Sequence, residues 1–143
     1  RMAIYSLANR TTGTAAGTAA LEIRSSATQR PRILEIGLFL AAATVSTYGL
    51  GRPAAIGVTP TSPVTVLAED PGDPAASTVT ALAWATGPTA PVAFMRRLAL
   101  PNTIGTGVIW TFPRGLLIPV SSSIVVWNIG ANGVADVYVV VDE

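Results

Sequence analysis

The sequence predicts an all-β protein with little or no helix: an antiparallel sandwich of jelly-roll type with about eight strands. Three observations carry this. Eleven Pro and thirteen Gly interrupt the chain at short intervals. No run of ten or more residues keeps a helical repeat. Short segments rich in Val, Ile, Thr and aromatics lie between turn residues, and the last shows a clean period of two.

The expected strands follow in chain order. Ala3 to Leu7 and Leu21 to Arg24 are short apolar runs. From Ile33 to Leu40, Leu34, Ile36, Leu38 and Leu40 are expected to share one face. Thr78 to Ala85 reads as a strand with Leu82 and Trp84 on one side, ended by Pro88 and Pro91. Phe94 to Leu100 is closed by Pro101-Asn102. Val108, Trp110 and Phe112 alternate with Ile109 and Thr111, and Pro113-Arg114-Gly115 is expected to turn the chain into Leu116. Ser123–Trp127 and Val134–Asp142 are expected to pair as a hairpin through Asn132-Gly133, a dipeptide suited to positive φ. In that last strand Val137, Val139 and Val141 alternate with Asp136, Tyr138 and Asp142, as in a half-buried antiparallel strand. Residues 9–20 and 48–65 are left as long loops, the first an extended arm between subunits. The whole chain, 1–143, is read as one β-sandwich domain, a size that supports a core without metal or disulfide.

Composition narrows the chemistry. There is no Cys and no His, and all nine basic residues are Arg. Thiolate and imidazole metal sites, Cys nucleophiles, the commonest general base and Schiff-base lysines are therefore absent. No catalytic residue, cofactor or metal is expected, and the chain is read as not an enzyme. Glu69, Asp70 and Asp73 form the one local carboxylate cluster, read as a solvated turn because a calcium loop needs more oxygen ligands at regular spacing. Ser121-Ser122-Ser123 has no base beside it in sequence. The arginines are scattered, so no nucleic-acid stripe emerges. The apolar stretch 33–45 is interrupted by Glu35 and is shorter than the ~20 residues a bilayer span needs, so no membrane is expected. The opening Arg1-Met2-Ala3-Ile4-Tyr5 is too short and polar for a signal peptide.

Low charge has a consequence of its own. Only 12% of residues are charged, against about 25% in ordinary soluble domains. Partner subunits are expected to cover much of the surface. The expected subunit interface is Phe112, Leu116, Ile118 and Trp127, and a charge at Ile118 is expected to split the oligomer without loss of strands. Trp84, Trp110 and Trp127 are expected in the core or an interface. Arg96-Arg97 is a candidate to pair with acidic residues of a neighbour.

Two stretches carry a resemblance. Ile36-Gly37-Leu38-Phe39-Leu40-Ala41-Ala42-Ala43-Thr44 runs into Tyr48-Gly49-Leu50-Gly51-Arg52-Pro53. Near the end, Gly107-Val108-Ile109-Trp110 and Pro113-Arg114-Gly115-Leu116 precede Ser123-Ile124-Val125-Val126-Trp127-Asn128. Together they resemble small virion structural proteins of tailed bacteriophages, particularly those infecting actinobacteria. The resemblance implies a capsid decoration (cement) protein on the outer surface of the phage head, a homotrimer bound to the major capsid protein. The alternative is a carbohydrate- or receptor-binding module of a tail fibre or spike, which would expose at least one Trp ring.

Overall fold

The computed structural model describes residues 3–13 and 15–143. Arg1 and Met2, at the expected start, and Thr14, in the expected arm, lie outside the described residues. Thirteen strands form among the described residues: β1 Ile4–Arg10, β2 Thr18–Arg24, β3 Arg32–Leu40, β4 Ser46–Pro53, β5 Val58–Pro60, β6 Pro63–Val64, β7 Leu67–Ala68, β8 Val79–Ala81, β9 Trp84–Thr86, β10 Pro91–Leu100, β11 Gly107–Leu117, β12 Ser123–Asn128 and β13 Ala135–Asp142. The protein is all-β, every strand pair is antiparallel, and among the described residues no helix is long and apolar enough to cross a membrane.

Against the expected eight, β4 to β7 are additional and the expected strand at 78–85 divides into β8 and β9; β5 to β9 are each no longer than three residues. Most of them arise in residues expected to form a loop or one continuous strand. Residues 48–65 contain most of β4, all of β5 and β6. The expected strand at 78–85 is broken at Leu82-Ala83, so Trp84 moves to a different sheet from Ala81. Much of the expected 9–20 arm is strand too: Asn9 and Arg10 complete β1 and Thr18–Ala20 open β2. At its two ends the intervening segment is tied to its own chain, by Thr11 N–H to Ala135 O and by Gly17 N–H to Asn128 O.

A five-stranded sheet has the order β11-β3-β13-β1-β7, and a six-stranded sheet the order β10-β4-β12-β2-β8-β6. The eight long strands alternate between them. Each consecutive pair changes sheet except β4 and β10, which are neighbours in one. β12 and β13 therefore form no hairpin, correcting the expectation from Asn132-Gly133. Asn132 is buried and has no positive φ. Its amide works as a strand mimic: Oδ1 accepts from Thr47 N–H at 2.8 Å while Nδ2 donates to Thr47 O at 2.7 Å and Asn128 Oδ1 at 3.0 Å. A side chain satisfying main-chain groups removes the need for a tight turn.

Facing surfaces of the two sheets make one core, in which Ile36, Leu38, Val137 and Val139 of the first meet Leu21, Ile23, Ile124 and Val126 of the second. Period-two alternation holds in β13, where Val137, Val139 and Val141 are buried. In β3 it slips. The pairing of Val140 with Glu35 but Val141 with Ile33 leaves an extra residue at Leu34. Ile33, fully buried, thus replaces Leu34 on the core face. A second correction concerns Pro113-Arg114-Gly115. β11 continues through it, with a register shift between Thr111 and Leu116. β11 is an edge strand, where Pro113 breaks no ladder, and Gly115 takes φ 72° to complete the bulge.

Candidate interaction surfaces

The outer face of the five-stranded sheet is ordered by its register. Across β11, β3, β13 and β1 the opposed residues are Gly107–Phe39–Asp136–Arg10, then Ile109–Gly37–Tyr138–Ala8, then Thr111–Glu35–Val140–Ser6. Gly37 exists so that the Tyr138 ring can lie across it: a Cβ there would sit 1.8 Å from Tyr138 Cε2. The Tyr138 hydroxyl donates to Glu35 Oε2 at 2.5 Å, and this bond holds the phenol's pKa above its ordinary value. Arg10 grips Asp136 through two bonds of 2.8 and 3.1 Å, which holds the carboxyl below and the guanidinium above their ordinary values. Both ions are fully exposed, so this pair is screened by water and salt. Beside this face an open groove of about 580 Å³ runs between β1, β7 and β13, lined by Ser6, Leu67, Glu69, Tyr138 and Val140.

On the outer face of the six-stranded sheet lies a second, smaller core. A bulge at Ala20 opposite Val126 and Trp127 turns Ala19 outward with Val125 and Trp127. Trp84, Phe94 and Ile129 cover them. The β5–β9 ribbon forms part of this cover, and Gly57 beside it admits the Trp84 ring, since a Cβ there would lie 2.5 Å from Trp84 Cδ1. Glu22 is on the same face and wholly buried. Its Oε2 accepts from Gly57 N–H and Ser123 Oγ, each at 2.9 Å, and Arg24 Nε lies 3.6 Å from its Oε1. This carboxylate secures the ribbon to the sheet. Among the described residues no three His, Cys, Asp or Glu side chains converge to hold a metal.

The residues singled out from sequence divide sharply. Phe112, Ile118 and Trp127 are buried within the chain, Ile118 completely, and Phe112 and Ile118 belong to the main core. Ile118, carried inward where the strand continues past Pro113, and Trp127, covered by Trp84, Phe94 and Ile129, offer no surface to a neighbour, which corrects the expectation for these two; Phe112, though mostly buried, lines the groove beside the bulge. Leu116 stays half-buried against the core. Trp110 and Trp127 are buried and Trp84 is half-buried. Ser123 serves Glu22, and Ser121 takes φ 52° in the turn before β12. The 69–73 segment is a formed turn, with Asp73 N–H to Asp70 O at 2.9 Å and Gly72 N–H to Asp70 Oδ1 at 2.9 Å.

Two features escaped sequence reasoning. Glu22 sits in an apolar run, and alternation with the core residues Leu21 and Ile23 places it on the outer face, where the β5–β9 ribbon buries it. Glu143 closes the chain by accepting four bonds, from the amide and hydroxyl of both Ser77 and Thr78, at 2.6 to 3.0 Å. An acid facing a Ser-Thr pair is the one local signal that could have suggested that clamp.

The two flanks of the molecule differ in how their sheet edges end. On one, residues 63–68 supply an edge strand to each sheet, β6 and β7, while Val64 and Val66 pack on the core. On the other, β10 and β11 are both unpaired edges and are the two longest strands. There Met95, Leu98, Val108 and Leu116 only partly cover the core, and Val92 is 96% exposed. Comparison of the chain with family models, with curated proteins and with solved structures finds no match.

Proposed function

We propose that the protein is a non-enzymatic structural component of a tailed-phage virion, a capsid decoration protein that self-associates as a homotrimer on the major capsid protein at the outer surface of the head. One observation carries the reading: the chain invests in contact surface rather than in reactive chemistry. Val92, Ile104, Leu67 and Val45 stand 63 to 96% exposed. Nine arginines and eight acids are the whole charged complement of 143 residues.

The strand order supports the finer fold reading. With β1–β4 and β10–β13 as the eight long strands, the orders β1-β13-β3-β11 and β2-β12-β4-β10 follow the double Greek-key pattern of a jelly-roll sandwich, an architecture found among viral capsid domains. Fold alone does not carry function, so the exposed apolar surface and the resemblance bear the rest. The alternative, a sugar- or receptor-binding module of a tail fibre or spike, calls for an exposed Trp platform. Burial of Trp110 and Trp127 leaves only the half-buried Trp84 to provide one.

The test is fractionation of purified virions into heads and tails with quantitative mass spectrometry. The protein is expected in the head fraction at a fixed ratio to the major capsid protein. Its confinement to tails, or its absence from heads, overturns the reading.

A further inference from the structure

We propose that copies of this chain join head to tail, the acidic turn Glu69–Asp73 of one entering the arginine-flanked groove at the β11 bulge of the next. The proposal rests on the self-association in the reading above and not on the virion location.

The groove lies on the open flank. It has a volume of about 380 Å³ and is lined by Arg96, Thr111, Phe112, Pro113, Arg114 and Leu116, with Gly115 at its base. The bulge makes it: the extra residues between Thr111 and Leu116 swing Pro113 and Arg114 out of the sheet plane. Arg96, from β10, lies over the Phe112 ring at 5.3 Å and so flanks the groove from the other edge strand. Arg96, Arg97 and Arg114 are exposed, and among the described residues none has a carboxylate within ion-pair distance. Glu35, the acid facing Thr111 in register, is engaged by Tyr138.

The complement lies on the opposite flank. β7 and β11 are the two outer strands of the five-stranded sheet, about 19 Å apart at ordinary strand spacing. Directly after β7 come Glu69 and Asp70, both exposed, then Asp73, on a turn already closed by its own hydrogen bonds. A preformed turn loses little entropy on docking. A molecule basic on one flank and acidic on the other repels itself in every side-to-side arrangement that pairs like flanks. It attracts itself head to tail, a heterologous contact that closes into a ring when the rotation permits. The Phe112 floor and the half-exposed Leu116 supply the apolar area beneath the ion pairs.

The test is sedimentation velocity on the full chain and two variants, each first shown by circular dichroism to keep wild-type strand content. Wild type is expected as a closed oligomer that loosens as salt rises from about 50 to about 500 mM, because rim ion pairs are screened. Arg96→Glu with Arg114→Glu sets acid against acid, and complete loss of the oligomer is expected. Adding Glu69→Arg and Asp70→Arg to the same chain reverses both partners, and recovery of the wild-type species is expected. An oligomer that survives the double reversal, or a folded quadruple variant that stays monomeric, overturns the head-to-tail contact and leaves self-association standing. A wild-type protein that is monomeric at all salt concentrations overturns both.

Discussion

The two flanks of the molecule solve the same problem in opposite ways. Every sheet has edges, and an edge presents unpaired N–H and C=O groups that invite another strand. On the β6–β7 flank, one short segment caps both sheets. Its backbone groups pair with β8 and β1, and Val64 and Val66 drop into the core. On the β10–β11 flank nothing caps the edges. The chain blunts them instead, with Pro91 and two register shifts in β10, and with Pro113 and the bulge in β11. Those devices discourage open-ended strand addition while leaving a shaped, basic, partly apolar surface. A capped flank suits a surface that presents a preformed turn without inviting strand addition, and a blunted one suits a surface shaped to receive it.

The largest expected effect separates core from surface. Ile118→Asp should abolish the fold rather than merely split an oligomer, because it places a charge in the fully buried core at a cost of about 4 kcal/mol or more, comparable with the whole stability of a small domain. Far-ultraviolet circular dichroism checks it: persistence of wild-type strand content in this variant would return Ile118 to the surface.

Next comes the anchoring of the open flank. At Gly107 a Cβ would fall 2.2 Å from Leu38 O, a backbone atom that cannot swing aside. Gly107→Ala should destabilise by about 1–3 kcal/mol, the usual range for overpacking, and should raise hydrogen exchange selectively in β11. The capped flank gives the counterpart. Glu143→Gln keeps the shape of the clamp on Ser77 and Thr78 but removes its charge and turns one acceptor into a donor. A loss of about 1–3 kcal/mol in urea titration is expected, with faster proteolysis within residues 69–78.

The smallest effects belong to the exposed sheet face. The Tyr138 phenol is held protonated by Glu35, so its folded pKa lies above the ordinary value. Whatever stability this adds is present below the ordinary tyrosine range and is lost as pH rises through the folded value. Asp136 has the opposite sign: its folded pKa is lowered by Arg10, so its contribution is present above the ordinary carboxylate range and is lost as pH falls through the folded value. Both groups lie at the surface, so Tyr138→Phe and Arg10→Ala should leave the unfolding midpoint at neutral pH within error. Spectrophotometric titration should show one fewer late-ionising tyrosine in Tyr138→Phe, with the late ionisation of Tyr48, which burial holds above its ordinary value, retained.

What the sequence made legible was the part governed by local periodicity. The alternation of β13, the burial of Trp110 and Phe112 against exposed Ile109 and Thr111, and the all-β class follow from side chains pointing alternately to two faces. The failures sit where one extra residue changes the phase. Leu34 yields to Ile33 and Ala19 turns outward beside Val125 and Trp127, each at a bulge that no pattern of period two announces, while Ile118 reaches the core because the strand runs on through Pro113-Arg114-Gly115 instead of turning there. Sheet assignment was equally hidden. Asn132-Gly133 has the composition of a hairpin turn, yet the Asn132 amide binds Thr47, 85 residues away in sequence. Of the surface proposed for contact, Arg96 was visible as half of an arginine pair. Its neighbour Arg114 and the groove between them depend on the bulge.

In the proposed head-to-tail contact a neighbouring copy covers the β10–β11 groove on the uncapped flank and the 69–73 turn on the capped one. Hydrogen exchange by mass spectrometry, comparing wild type with the Arg96→Glu, Arg114→Glu variant at the same protein concentration, tests it most directly. Slower exchange in wild type is expected in 91–100 and 107–117 and in the 69–73 turn, with the main-core strand β13 unchanged. Equal exchange on both flanks in the two proteins, or protection confined to another surface, would contradict it.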